Sequence, residues 1–383
     1  MKELKMSRKK LKEYLIAFWK QIEFPLLAVA LGLIVGAFAM MWVGAQEGLP
    51  LSQVLLKPVD GYKALFFSVF GSLYGFGEAI VSAVPLIMTG LAIAFSFRTG
   101  LFNIGAEGQF IVGTFATAYV GFTLNNLPTI LQFSLALIAG AIAGGLWAAI
   151  AGWLKAKRGV HEVITTIMMN HIAFYLYNLF VGSPDWFKAP NYQGSHAINP
   201  DIRLPVIGLF RPSRAHLGIV IALIAAVIIY IILWKTKLGY EVRAVGHKAS
   251  AAEYGGIDVA KRFVTAMFIS GILAGLGGGL HLLGTARRAS QFGAFPNYGF
   301  DGIAVALIGK NHPLGIVLSA FLFAIMKRGA PLMQAQAGIA KEVIAIVQAS
   351  IIFFVAADQI VKWIVKRKEK KTVKEMKEAA SDE

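Results

Sequence analysis

Apolar runs of roughly twenty residues, the length that crosses a hydrocarbon core, recur along this chain. They fall at Phe24 to Ala45, Ala79 to Phe97, Gly105 to Leu124, Leu127 to Leu154, Val163 to Val181, Leu217 to Trp234, Phe263 to Gly284, Tyr298 to Gly309, Pro313 to Met326 and Ile339 to Lys362. The pattern predicts an all-α polytopic membrane protein of about ten transmembrane helices. Tyr298 to Gly309 and Pro313 to Met326 are short for a span, which leaves a re-entrant segment open there. Tyr62 to Phe76 is apolar but glycine-interrupted and reads as a surface or half-buried helix. An even number of crossings puts both termini on one side. The segment Met1 to Lys20 is too long and too polar for a signal-peptide n-region, and no small-residue cleavage site follows Phe24 to Ala45, so the first run reads as a true span.

One interruption stands out. Ala79 to Phe97 is nineteen residues without a formal charge, and Phe110 to Leu124 is again apolar. Between them stands Arg98-Thr-Gly-Leu-Phe-Asn-Ile-Gly-Ala-Glu-Gly-Gln109. A carboxylate at such depth is costly and marks a functional site by default. The glycines Gly100, Gly105 and Gly108 point the same way, because broken helices survive at membrane depth where their backbone lines a cavity. Asn103, Glu107 and Gln109, with Asn170 inside another apolar run, are therefore the candidate residues of a substrate pathway, which implies membrane transport. A structural reading stays open beside it, in which Glu107 caps a broken helix or pairs with Arg98, Asn103 and Gln109 satisfy the break, and Asn170 and His171 bond between helices. Asp301 reads as an N-cap before a short apolar helix.

Composition agrees with a lipid-embedded chain: 57% of residues are hydrophobic and 15% charged over 383 residues. The formal net charge of +16 does not point to nucleic acid, because of 37 Lys and Arg seven lie in Met1 to Lys20 and eight follow Val361. Basic tails beside apolar spans suit anionic headgroups. There is no cysteine, hence no disulfide and no thiol chemistry. The excess of Lys and Arg on the side of the termini, with tight clusters at Lys155, Lys157 and Arg158 and from Lys235 to Arg262, places both termini in the cytoplasm. The opposite loop, Gly182 to Ala215, carries Pro184, Pro190, Pro200, Pro205 and Pro212 and reads as an irregular external cap.

A second constellation lies in the loop from Gly239 to Ile257. Its run Ala249 to Tyr254 is rich in helix formers and closed by Gly255-Gly256, so a short helix across the membrane face is expected. Such a helix either docks into a groove on a soluble partner or simply anchors the loop. The pairs Gly140/Gly144, Gly271/Gly275 and Gly275/Gly279 predict close helix packing. No phosphate-cradling loop is expected: near Gly309-Lys310, Ala304 stands where the first glycine belongs and Asn311 where Ser or Thr belongs. The histidines show no metal-ligand spacing and no catalytic set emerges, so no metal, cofactor or enzymatic activity is assigned to this chain. An ion-coupled secondary transporter, with Glu107 or Asp301 as protonatable group, is the alternative of another class.

The runs RTGLFNIGAEGQF, GVHEVITTIMMN, RAVGHKASAAEYGGI and YGFDGIAVALIG with NHPLG resemble permease subunits of bacterial ABC importers, in the branched-chain amino acid and ribose permease superfamily. Within it the chain is similar to the nucleoside branch, guanosine and purine nucleosides included, with simple sugars such as ribose or galactose as the alternative. The resemblance spans Leu65 to Ala357. It implies that RAVGHKASAAEYGGI is a coupling helix, with Arg243, Ala244, Gly246, Ala251, Ala252, Gly256 and Ile257 facing a separate ATPase that binds the ATP. It also implies a second, non-identical permease making a heterodimer, a lipid-anchored extracytoplasmic substrate-binding protein, and a place in the bacterial cytoplasmic membrane. The expected organisation is a basic cytoplasmic segment over 1–23, a permease domain over 24–362 and a charged cytoplasmic tail over 363–383.

Overall fold

The structure, a computed structural model, describes residues 2–182, 187–189 and 192–357. Its regular structure is helical, and among the described residues extended pairing is confined to isolated bridges such as Val206 with His216. The helices are α1 (Lys2–Gln46), α2 (Leu51–Phe70), α3 (Leu73–Phe97), α4 (Ala106–Thr123), α5 (Thr129–Arg158), α6 (Glu162–Gly182), α7 (Gly218–Lys235), α8 (Lys237–His247), α9 (Ala249–Tyr254), α10 (Val259–His281), α11 (Tyr298–Ile308), α12 (Pro313–Ala337) and α13 (Glu342–Ala356). Seven of the described helices are long and apolar enough to cross a membrane: α1 over Glu23–Gln46, α3, α5, α6, α7, α10 with its extension to Ala286, and α12. Shorter apolar helices are α11 and α13. Eighteen-residue α4 begins with Glu107 and Gln109 in its first turns, which lowers its mean hydropathy.

Several boundaries differ from expectation for local reasons. The Tyr62 to Phe76 run is two helices: α2 ends at Phe70, and Ser72 N-caps α3 by accepting from the Gly75 N–H at 3.0 Å. Thus α3 starts six residues before Ala79 and carries Glu78 inside its first turns. Helix α12 runs eleven residues past Met326, through Lys327, Arg328 and Pro331. The stretch before Ala249, expected to be loop, is helix α8, N-capped by Thr236 on the Gly239 N–H at 3.2 Å. The charged tail, Pro184, Pro190 and the end of the Ile339 to Lys362 run lie outside the described residues.

The chain forms two compact units, residues 65–329 and residues 1–64 with 330–383. In the smaller, α1 packs on α13, with Gly32 against Ile351 and Gly36 against Val347, and the Tyr62 hydroxyl donates to the Leu33 carbonyl. In the larger, α3 is the central helix, buried along most of its length between α10, α11 and α7. Helices α5 and α10 make its most extensive pairing, with α4 against both. The glycine pairs explain how: a Cβ on Gly144 would lie 2.5 Å from the Gly271 carbonyl oxygen and 2.8 Å from the Gly275 Cα. Backbone therefore packs on backbone, the small-residue mode of membrane helices.

Candidate functional site

At Phe97 helix α3 stops, Gly100 takes a left-handed φ of +78°, and the chain turns back to start α4 at Ala106. The turn leaves helix-end groups unpaired in a buried place, which costs on the order of 1–3 kcal/mol each, so side chains close on it. Asn103 Oδ1 accepts from the Gly105 N–H at 2.9 Å, and its amide exchanges two 3.0 Å bonds with Gln109. Asn103 Nδ2 also donates to Ser270 Oγ at 2.8 Å, and Ser270 in turn donates to the Ala92 carbonyl at 2.6 Å. Asn170 of α6 accepts from the Gly108 N–H at 2.8 Å and donates to the Ile104 carbonyl at 3.0 Å. Four helices are thus tied to one break.

Glu107 reaches the start of α11. Its carboxylate accepts from the N–H groups of Asn297 (2.7 Å), Gly299 (2.5 Å) and Phe300 (3.3 Å), groups that have no partner within α11. A carboxylate there also meets the positive end of the helix dipole. The four residues expected to form a pathway are brought together, each at most 1% exposed, and each is held by internal hydrogen bonds. The alternative pairing of Glu107 with Arg98 is corrected: the Arg98 guanidinium donates to the carbonyls of Asn311 (3.0 and 3.1 Å) and Lys310 (3.3 Å) and lies over the Trp234 ring. Asp301 is likewise no N-cap, since Asn297 holds that position; Asp301 pairs with Lys327 at 2.7 Å. His171 meets Phe295 edge-on. Beside the basic turn, Glu162 pairs with Lys155 at 2.9 Å within the chain.

Two charged groups escaped sequence reasoning. Glu78, 4% exposed, accepts from Arg214 N–H (2.9 Å), Arg214 guanidinium (2.8 Å) and Ser213 hydroxyl (3.1 Å), fastening the long connection before α7 onto α3. The bond to Glu78 raises Arg214 above its ordinary value, whereas burial, with Arg214 nearby, pushes His216 down to about 4. The neutral His216 ring then accepts the Gly218 N–H at 3.1 Å. Lys327 was hidden because a charge pair, Lys327-Arg328, looks like the end of a span.

The break also touches the α8 and α9 segment. A Cβ on Gly246 would lie 2.9 Å from the Arg98 carbonyl carbon and 3.1 Å from the Gly100 nitrogen, so the α8 terminus sits directly under the turn. Helix α9 spans Ala249–Tyr254 and ends at Gly255 and Gly256, the latter at φ +80°. With α8 it encloses an open cleft of about 420 Å³ lined by Tyr240, Ala244, His247, Ala251, Gly256 and Ile257 among others. Gly246, Ala251 and Gly256 are exposed, Arg243, Ala244 and Ile257 half-buried, and Arg243 donates to the Gly239 carbonyl at 3.2 Å. Ala252 is only 6% exposed, so its methyl packs inward while Tyr254, 98% exposed, projects.

A helical membrane chain with a buried helix break, and a short helix packed beneath it, has the build of a transport permease. Residues 75–356 match the family described as branched-chain amino acid transport system, permease component, and the chain belongs to that family. It is a multi-pass ABC transporter permease subunit, a transport component and not an enzyme. It is similar to the guanosine ABC transporter permease protein NupP of Bacillus subtilis, 43% identical over 348 residues, 91% of this chain and 96% of the relative. It is 31% identical to the glucose ABC transporter permease protein TsgB13 of Haloferax volcanii over 352 residues, 90% and 89% of the two chains. The guanosine ABC transporter permease protein NupQ of Bacillus subtilis is 31% identical over 248 residues, 64% of this chain and 77% of the relative.

Proposed function

We propose that this chain is one half of a heterodimeric permease in an ATP-driven nucleoside importer of the cytoplasmic membrane. The observation that carries the substrate class is its likeness to the guanosine permease NupP, 43% identical along nearly the whole of both chains. The glucose permease covers as much of the chain at 31%, which supports a simple sugar as the second reading. Uptake of labelled guanosine in a strain deleted for this chain and complemented with it decides between them. Unlabelled nucleosides should compete and unlabelled glucose or ribose should not; the reverse order refutes the nucleoside reading.

In this reading α4, α13 and α11 together with the non-helical residues that lead into it cross with the seven long helices, giving about ten crossings and both termini in the cytoplasm. Residues 24–362 form the permease domain, and the basic composition of 1–23 and 363–383 suits contact with anionic lipid. A lipid-anchored binding protein delivers the solute from outside. NupP and NupQ, two guanosine permeases of one organism, both resemble this chain, but the match to NupQ covers less of each chain. That supports a pair of unlike permeases in which this chain takes the NupP-like place. Asn103, Glu107, Gln109 and Asn170 hold the broken helices that border the solute path, so they shape it from behind.

ATP binds and is hydrolysed on a separate ATPase, which receives α9 in a groove. Arg243, Ala244, Gly246, Ala251, Ala252, Gly256 and Ile257 form the docking segment, with Ala252 as its inward anchor. A push on α9 travels through α8 to Gly246, whose backbone touches Arg98 and Gly100 at the break. Ala251→Arg places charge and bulk on the exposed face of α9 and is expected to abolish uptake while membrane insertion and thermal stability stay unchanged. Co-purification with the ATPase measures the same effect: the variant should lose the ATPase, and full retention with normal uptake removes α9 from the coupling role.

A further inference from the structure

A second polar surface lies where the chain enters α11. Near the Gly182 end of α6, Gln291 donates to the Asn178 carbonyl at 3.0 Å and the Phe292 N–H donates to Asn178 Oδ1 at 2.8 Å. A few residues on, the Phe295 ring packs at 5.2 Å on His171 and 4.8 Å on Phe174, at the middle of α6, and Asn297 meets Glu107. Residues 293–297 therefore run without helix into the thickness of the membrane. Gly293, Ala294 and Asn297 are exposed there, and among the described residues the N–H groups of Gly293, Ala294 and Phe295 have no hydrogen-bond partner.

Beside this segment stands the Asp301–Lys327 ion pair, 2.7 Å long, with side chains 23% and 32% exposed. The Lys327 ammonium also lies 4.3 Å from the centre of the Tyr298 ring. Depth follows from helix rise: Lys327 is about 21 Å along α12 from Pro313, and the Tyr298 carbonyl accepts from Thr89, about 12 Å from the Phe97 end of α3. Lipid tolerates neither unpaired backbone nor a partly exposed ion pair at that depth; both occur where they line water.

We propose that residues 293–297 and the Asp301–Lys327 pair are this chain's contact surface for the solute, and that they bind the hydroxyl groups of a neutral ribose-bearing molecule. The inference rests on the importer reading above. Its chemistry is balanced: unpaired N–H groups and the ammonium donate, and the carboxylate accepts from hydroxyls. A pair of zero net charge offers an anion or a cation no preference over a neutral polyol. The unwound approach to a helix start at mid-membrane is also the architecture in which transporters place substrates.

The chain has no cysteine, so single thiols can be introduced without removing any. A Cβ on Gly293 meets nothing within 4 Å, and Ala294 is exposed. In the assembled importer in membranes, Gly293→Cys and Ala294→Cys should react with a water-soluble methanethiosulfonate, lose uptake on reaction, and be protected by saturating guanosine. Ile224→Cys on the exposed face of α7 sets the lipid background. Asp301→Asn, Lys327→Met and the double variant should each lower uptake about tenfold, the loss of a charged hydrogen bond, while still purifying with the partner subunits. Thiols at 293 and 294 no more reactive than Ile224→Cys mean that lipid or the second permease covers the surface, and overturn the proposal. So does wild-type uptake by the double variant, which makes the pair structural. A wild-type importer that accumulates no nucleoside counts against the substrate reading alone, because thiol reactivity is measured without it.

Discussion

Replacing Glu107 with Ala is expected to cost the permease on the order of 3 kcal/mol or more, because three N–H groups at the start of α11 lose their acceptor together. The buried helix start would be left with its positive end uncompensated. Glu107→Gln should fall between the two: one oxygen still accepts, but the new NH₂ group faces donors. Thermal unfolding in detergent, followed by fluorescence-detected size exclusion, reads the order wild type, Gln, Ala. An Ala variant as stable as wild type would show that α11 starts equally well without the carboxylate. Arg98→Ala should not imitate Glu107→Ala, because Arg98 caps the Lys310 and Asn311 carbonyls.

Gly144→Val is the second large effect, expected at about 3 kcal/mol. The added Cβ falls 2.5 Å from the Gly271 oxygen and 2.8 Å from the Gly275 Cα, and neither can rotate away because both are backbone. The α5 and α10 axes must separate, and α4 packs on both. Gly159→Ala serves as the contrasting control: a Cβ there meets nothing within 4 Å, and its φ of +67° makes the change a local helix-end strain. Loss of monodisperse protein should be far greater for Gly144→Val. Equal behaviour of the two would mean that α5 and α10 are not locked at this crossing.

What the sequence made legible follows from which forces act locally. Apolar length located the long helices, because each must satisfy its own backbone in lipid. Helix α9 spans Ala249–Tyr254, the run read from helix formers followed by two glycines, since both signals lie within a few residues. The glycine pairs were readable as close packing because small residues in apolar runs have few other uses. Partners distant in sequence were not readable. Nothing near Glu107 announces three N–H groups about 190 residues away, and Lys327 looked like a span's end because Asp301, its counter-charge, sits on another helix. The inward methyl of Ala252 was equally invisible, since a six-residue helix has too few apolar positions to declare a face.

Guanosine uptake by proteoliposomes holding this chain, the second permease and the ATPase, with the binding protein added, distinguishes an ATP-driven heterodimeric importer from an ion-coupled carrier. Accumulation should require hydrolysable ATP, survive collapse of ion gradients, and stop when either permease or the ATPase is omitted. Accumulation driven by an ion gradient without ATP would contradict the importer reading.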